Sequence, residues 1–168
     1  MRDMKLNYKK ADRQDAGLIA ALAERIWKKH YITIISMEQI EFMLEKMYSA
    51  ESLIRQMEEG HVFTLVYLDD RPVGYISLST KDHKNYFLHK FYVEADEQAK
   101  GIGSRLLAHI LGSLKGAESL ELTVNRQNYK AINFYFKNGF VIREVADFDI
   151  GGGYFMNDFI MVKKIGKQ

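Results

Sequence analysis

Cysteine is absent from the 168 residues, which excludes a disulfide framework, a thiolate-ligated metal and a cysteine nucleophile together. No apolar run approaches the roughly 20 residues that a membrane-spanning helix needs, and the first residues lack the apolar core of a secretion signal. A cytoplasmic protein with no membrane partner is the expectation. Net charge is also small: 24 Lys and Arg stand against 22 Asp and Glu, evenly mixed, which gives no footprint for nucleic acid as a partner. The five histidines, His30, His61, His83, His89 and His109, show neither H-x-x-x-H nor H-E-x-x-H spacing, so no metal site is expected. A chain of this length, without a low-complexity tract, repeat or linker, reads as one domain over 1–168.

The periodicities that are present alternate between strand and helix. Leu6 to Lys10 reads as a first strand. Asp12, with Asp15 three residues on, can cap a helix whose buried stripe is Ile19, Leu22, Ala23 and Ile26. Tyr31 to Ile35 reads as a connection. Ser36 with Gln39 has capping-box form and opens a second helix with Ile40, Met43, Leu44 and Met47 on one face; Ser49 or Ser52 caps a third, ending at Gly60. Val62 to Leu68 alternates as a half-buried strand. Asp69-Asp70-Arg71-Pro72, with the only proline, is turn chemistry, and Val73 to Ser79 is the next strand. Lys81 to Asn85 reads as loop. Farther on, Leu120 to Val124 is a strand, Asn128 caps a helix that stops at Gly139, and Phe140 to Ile150 pairs with Tyr154 to Lys163 around Gly151-Gly152-Gly153.

The segment that carries chemistry runs from Phe87 to Leu114. A strand, Phe87 to Val93, passes through polar Glu94 to Gln98 into Gln98-Ala99-Lys100-Gly101-Ile102-Gly103, after which Leu106, Leu107, Ile110, Leu111 and Leu114 recur at helical spacing. Glycines allow a turn to aim consecutive backbone N–H groups at one point, and the start of the following helix adds unpaired donors and a positive dipole end. That combination suits a phosphate. The pattern lacks the Lys-Ser/Thr pair of a P-loop and the third glycine of the dinucleotide fingerprint. A tight turn with close helix packing accounts for the same two glycines.

Q-x-x-G-x-G between strand and helix resembles the acyl-CoA pyrophosphate loop of the GNAT N-acetyltransferases. A second block, Asn125, Asn128, Ala131, Asn133, Phe134, Tyr135, Gly139 and Phe140, is similar to that family's N-x-x-A-x-x-F-Y-x-x-x-G-F segment. The resemblance implies an α/β (α+β) fold with a central mixed, mostly antiparallel sheet, splayed between the strand before the phosphate loop and the strand before Asn125. It implies acetyl-CoA as cofactor. Its pyrophosphate would lie on Gln98, Ala99, Lys100, Gly101, Ile102, Gly103 and Ser104. Its pantetheine arm would bond to the backbone of Phe91, Tyr92 and Val93, with Asn125, Asn133 and Lys137 as further contacts. Tyr135 falls where many members supply the proton to the departing thiol, and a phenol with pKa about 10 stays protonated at neutral pH; the alternative is packing on the sheet, as for Phe134. For the base, His89 has the parity of Phe91 and Val93 and a suitable pKa range, while a histidine satisfied within the sheet explains it as well. Asp82 and Asp158 read as solvated carboxylates.

Trp27-Lys-Lys-His-Tyr31, Ile34 to Ile40, Leu88 to Val93 and Phe155 to Met161 are similar to the PaiA-type polyamine acetyltransferases within that family. Asn157 stands where that group commonly has Asp, one acidic group fewer for a polycation. Trp27, Tyr31 and Tyr48, with Glu38, are the candidate lining of an amine pocket, and packing explains each of the aromatics as well. The expected activity is transfer of acetyl from acetyl-CoA to a primary amine of a small molecule, such as spermidine or spermine, by direct attack in a ternary complex. A non-catalytic acyl-CoA-binding regulatory module and a protein or peptide N-terminal acetyltransferase are the alternatives. The C-terminal hairpin is compatible with a homodimer.

Overall fold

The computed structural model describes residues 5–98 and 101–166. Seven strands join in one mixed sheet in the order β1-β2-β3-β4-β5-β7-β6: β1 Leu6–Lys10, β2 Val62–Leu68, β3 Arg71–Thr80, β4 Asn85–Val93, β5 Ser119–Asn125, β6 Val141–Gly151 and β7 Tyr154–Lys164. The helices are α1 Ala16–His30, α2 Met37–Tyr48, α3 Ala50–Glu58, α4 Ala95–Gln98, α5 Ile102–Ser113 and α6 Tyr129–Lys137. Two compact units form, one from the chain up to Leu78 with Lys90–Lys115, the other from Ser79–His89 with the chain from Gly116 onward.

In the first unit, β1, β2 and β3 pair antiparallel. Asp12 and Asp15 close the expected capping box: the Asp12 carboxylate accepts from Gln14 N–H at 2.9 Å, and Asp15 accepts from Asp12 N–H at 2.9 Å. A short 3-10 turn carries the chain into α1, whose Ile19, Leu22, Ala23 and Ile26 are buried as their spacing required. Ser36 Oγ accepts from Gln39 N–H at 3.1 Å and opens α2, while Ser49 opens α3. On α2 the stripe differs from expectation. Ile40, Met43 and Tyr48 are buried, whereas Leu44 and Met47 are half-buried. Phe63, Leu65, Val73, Leu53, Ile102, Leu106 and Ile110 complete this core, each fully buried aliphatic side chain contributing about 2 kcal/mol of transfer free energy.

Three boundaries also shift. β3 begins at Arg71, so Pro72 is a strand residue opposite Tyr67; the ladder jumps there between Val66 and Tyr67, an irregularity that accommodates a residue with no N–H. β4 begins at Asn85, two residues before the apolar run. The polar stretch after Val93 winds into one helical turn, α4, rather than staying a loop.

In the second unit β4 pairs parallel with β5 from Asn85↔Ser119 to Leu88↔Leu122. Beyond those pairs β4 runs on to Val93 and β5 to Asn125. β7 pairs antiparallel with both β5 and β6. Leu120, Leu122 and Val124 alternate inward on β5, packed in a core with Ile132, Phe140 and Met161. Asn128 Oδ1 accepts from Ala131 N–H at 3.4 Å at the start of α6, and Gly139 follows the last turn at φ 88°, as expected. No helix among the described residues is long and apolar enough to cross a membrane.

Candidate active site

In the first unit the end of β4 is held close to β3. Glu94 N–H donates to Val73 carbonyl at 2.8 Å, and at Gly74 an added Cβ would collide with the Tyr92 carbonyl oxygen and lie 3.2 Å from Val93 Cα. Glycine is therefore required at 74 by proximity alone. Phe91 and Tyr92 are half-buried and Val93 is buried. Ala99, Lys100 and the side chain of Gln98, all expected to hold the pyrophosphate, lie outside the described residues. Gly101 caps α5 in the left-handed conformation, φ 74° and ψ 15°, with nothing near a would-be Cβ, so the backbone conformation alone selects glycine. Ile102 and Gly103, expected in the loop, belong instead to the first turn of α5, together with Ser104. Their N–H groups are those an α-helix leaves without an intrahelical acceptor, so α5 presents consecutive donors at its positive end. Arg105 N–H, the next, bonds Gly101 carbonyl at 3.3 Å.

The same unit gathers the expected substrate aromatics. Trp27 packs on Tyr31 (centroids 4.5 Å), Tyr48 (5.5 Å) and Tyr92 (5.7 Å), and Tyr75 touches Tyr48 (5.7 Å) and Tyr92 (5.5 Å). Tyr75 Oη donates to Tyr48 Oη at 3.0 Å, and the hydroxyls of Tyr31 and Tyr92 are 3.0 Å apart. Burial raises the pKa of both Tyr48 and Tyr75, keeping them neutral donors. The buried Trp27 indole N–H faces the hydroxyls of Tyr48 and Tyr75 without a hydrogen bond of ordinary geometry to either. Glu38, the acidic member of the expected amine pocket, is exposed in the first turn of α2. Tyr75 was not singled out from the sequence, although its alternation with Val73 and Ser77 on a strand placed it inward.

The second unit carries the expected catalytic groups. Tyr135, 7% exposed on α6, packs its ring on Phe134 (5.5 Å) and Phe140 (5.3 Å). His89 Nε2 lies 2.6 Å from Ser79 Oγ, and its ring stands 4.6 Å from Phe87. Asn125 Oδ1 accepts from Gln127 N–H at 2.9 Å, which forms the turn into α6. Asn133 and Lys137 are exposed on α6. Asp82, expected to be solvated, is exposed but caps its loop, accepting from the N–H groups of Lys84 and Asn85 at 2.9 and 2.8 Å; those bonds hold its carboxyl well below the usual range.

Asp158 overturns its expectation. It is buried, opposite Asn125 across the β5–β7 ladder. The Thr123 hydroxyl donates to it, but Oδ1 has no partner, and burial first of all pushes its pKa up to about 6. Arg126 does not neutralise it directly: Nη2 pairs with Asp147 at 2.9 Å, and Nη1 reaches the carbonyls of Ala146 and Asp158 at 3.3 Å. No cluster of metal-ligating side chains occurs among the described residues.

The model of the acetyltransferase (GNAT) family matches residues 21–140. The chain belongs to that family. It is an acetyl-CoA-dependent GNAT N-acetyltransferase, and a helix start that presents consecutive N–H donors fits the pyrophosphate of that cofactor. It is similar to the spermidine N(1)-acetyltransferase of Thermoplasma acidophilum, 30% identical across 96% of this chain and 98% of that one. A crystal structure of the PaiA N-acetyltransferase of the same organism in complex with coenzyme A superposes with a TM-score of 0.78, at 30% identity, over 96% of this chain and 99% of that one. A GNAT relative of another kind, the peptidyl-lysine N-acetyltransferase YjaB of Salmonella typhimurium, is 27% identical over 87% of this chain and 90% of that one.

Proposed function

We propose that this GNAT enzyme acetylates a primary amine of a small molecule of the polyamine class, spermidine or spermine, by direct attack in a ternary complex. The likeness to a spermidine acetyltransferase over nearly all of both chains carries this reading. The neutral amine nitrogen attacks the thioester carbonyl; a C–N bond forms, the C–S bond breaks, the nitrogen gives up one proton as it becomes an amide, and CoA leaves as a thiolate that takes one up. The Val93 N–H is the candidate donor to the developing oxyanion. Tyr135 is the candidate acid at sulfur. An amine of pKa about 10 arrives protonated, so a base must take that proton first. His89 and Asp158 are the two candidates, and Asp158 titrates in the useful range at about 6. Half-buried Tyr31 and Tyr92 are the candidate ring faces for an alkylammonium, with buried Trp27 packed against both.

Thiol release from acetyl-CoA, measured with spermidine, spermine, amino acids and a lysyl peptide, tests the acceptor. Faster release with the polyamines supports this reading; release with the lysyl peptide alone replaces it with the activity named for YjaB. Tyr135→Phe should lower kcat at least about a hundredfold with CoA affinity retained, and equal loss of both would remove the catalytic assignment. The acidic limb of the pH–rate profile should move in Asp158→Asn or in His89→Gln, whichever removes the base. A homodimer belongs to the same proposal: β6 at the sheet edge exposes Val141 and Val145 at 59% and 61%, and sedimentation of the intact chain measures the assembly.

A further inference from the structure

Arg126, the residue after β5, ties the end of that strand to both strands of the C-terminal hairpin. Its own N–H donates to the Asn157 carbonyl of β7 at 2.9 Å. Its guanidinium spans the hairpin: Nη2 pairs with Asp147 of β6 at 2.9 Å, and Nη1 reaches the carbonyls of Ala146 and Asp158, both at 3.3 Å. Those two residues stand opposite each other in the β6–β7 ladder. The positive charge therefore rests on the backbone of Asp158 rather than on its carboxylate. That residue is 1% exposed, and its Oδ1 finds no hydrogen-bond partner among the described residues.

An arginine beside a buried carboxylate commonly closes on it with two parallel bonds, which fixes the charge and fills both oxygens. Such a pair would keep Asp158 ionised well below neutral pH and leave it no oxygen for a proton. Here Asp147 draws the guanidinium aside. The side chains of Arg126 and Asp147 are 30% and 60% exposed, so their pair adds little to stability, and its effect falls on Asp158. Burial, first of all, raises the pKa of that carboxyl; the Thr123 hydroxyl and then the Arg126 charge oppose the rise, and Asp147 adds to it. The other ionisable side chains that strands of the second unit turn to this face are Glu121, Glu144, Tyr154, Lys164 and His89. Glu121 registers with Val162 and Glu144 with Ile160, and Arg143 pairs with them at 2.6 and 3.5 Å. Tyr154 and Lys164 stand at the two ends of β7. His89 has the parity of Phe87, which pairs with Glu121.

We propose that Arg126 is a positioning residue for the Asp158 carboxylate: drawn aside by Asp147 and anchored on the backbone, it favours the charge on that carboxylate while leaving an oxygen open to accept a proton. The proposal rests on the reading that Asp158 is the base, and two measurements separate them. The carboxyl carbon of Asp158, followed by NMR between about pH 4 and 8, reports its ionisation whatever its part in catalysis. The acidic limb of the kcat profile reports the base. Arg126→Gln should move the NMR midpoint up by at least about half a pH unit, and Asp147→Asn should move it down by about as much. Arg126→Lys, which keeps the charge without the planar fork, should lie nearer the wild type. In each variant the acidic limb should move with the carboxyl. Carboxyl shifts with an unmoved limb would support the charge arrangement and remove Asp158 as the base. A midpoint unchanged in both Arg126→Gln and Asp147→Asn would overturn the proposal. Shifts of the same sign in those two variants would overturn it too, as a general loosening around Asp158. Should Arg126→Gln not fold, Asp147→Asn decides alone: a downward shift supports the proposal, and an unchanged midpoint overturns it.

Discussion

Lys90 on β4 and Asp158 on β7 bear opposite charges in the same predicament, each buried with only part of what an ion needs. Lys90 gives one hydrogen bond, Nζ to Gln56 Oε1 at 2.8 Å, and lies over the rings of Tyr48 and Phe63 at 5.2 and 5.5 Å. Gln56 is itself aimed, its Nε2 donating to Met47 carbonyl at 2.8 Å and Ser52 Oγ at 3.1 Å. Asp158 has the Thr123 hydroxyl and an oxygen with nothing. Burial drives Lys90 down to about 8 and Asp158 up to about 6, both toward the neutral form. The difference lies in the partners. Aromatic faces can stand in for a counter-ion around a cation, and a core supplies them freely; it supplies nothing comparable to an anion. Near neutral pH both groups are mostly charged, so both weaken the fold there.

The largest effect should come from Lys90→Met, which keeps the stem volume and removes the buried charge. Stability at pH 7 should rise on the order of 2 kcal/mol in urea titrations. The sign follows from linkage: a folded pKa of about 8 against an ordinary 10.5 means that the unfolded chain holds the extra proton between those values. Wild-type stability should therefore climb as pH rises from 8 to 10.5, and the variant should lose that climb. A climb that persists in Lys90→Met would assign it to another group. Asp158→Asn should raise stability at pH 7 by a smaller amount, about 1 kcal/mol, because one hydrogen bond to an ionised oxygen is also lost. Here the folded state holds the extra proton between 3.8 and about 6, so wild-type stability falls as pH rises through that window. The variant should be flat there, and thermal midpoints from pH 3.5 to 7 test it. The smallest effect is a reporter: His61, half-buried with its pKa lowered by burial and then by the Lys90 charge, should titrate higher in Lys90→Met, as read by NMR. An unmoved His61 would mean that burial alone sets it.

Much of this was legible in advance where a local rule acts alone. Asp12, Ser36 and Asn128 were placed as helix caps because a short oxygen-bearing side chain beside an amphipathic run has little else to do, and all three accept the N–H groups they should. The fold and family followed from two spaced blocks. What stayed hidden depended on contacts distant in sequence. α4 has four residues, too few for a period to show. Pro72 reads as a turn until the irregular register opposite Tyr67 makes room for it in β3. Lys90 alternates with Leu88 on β4, so the pattern did place it on an inward face, but nothing local shows that Gln56 and two rings would receive it. Asp158 looked solvated because a carboxylate usually is. Arg71 and Glu97 are 26 residues apart, and only the folded chain makes them a pair.

Gly74 bears on how this gene can vary. It touches no ligand in the proposed chemistry and forms no turn, yet any side chain there would press on the Tyr92 carbonyl and the Val93 backbone, the strand end proposed to meet the thioester. The enzyme therefore has a codon whose meaning is fixed by the shape of its own backbone, and among descendants that keep the activity it can drift only between synonyms for glycine.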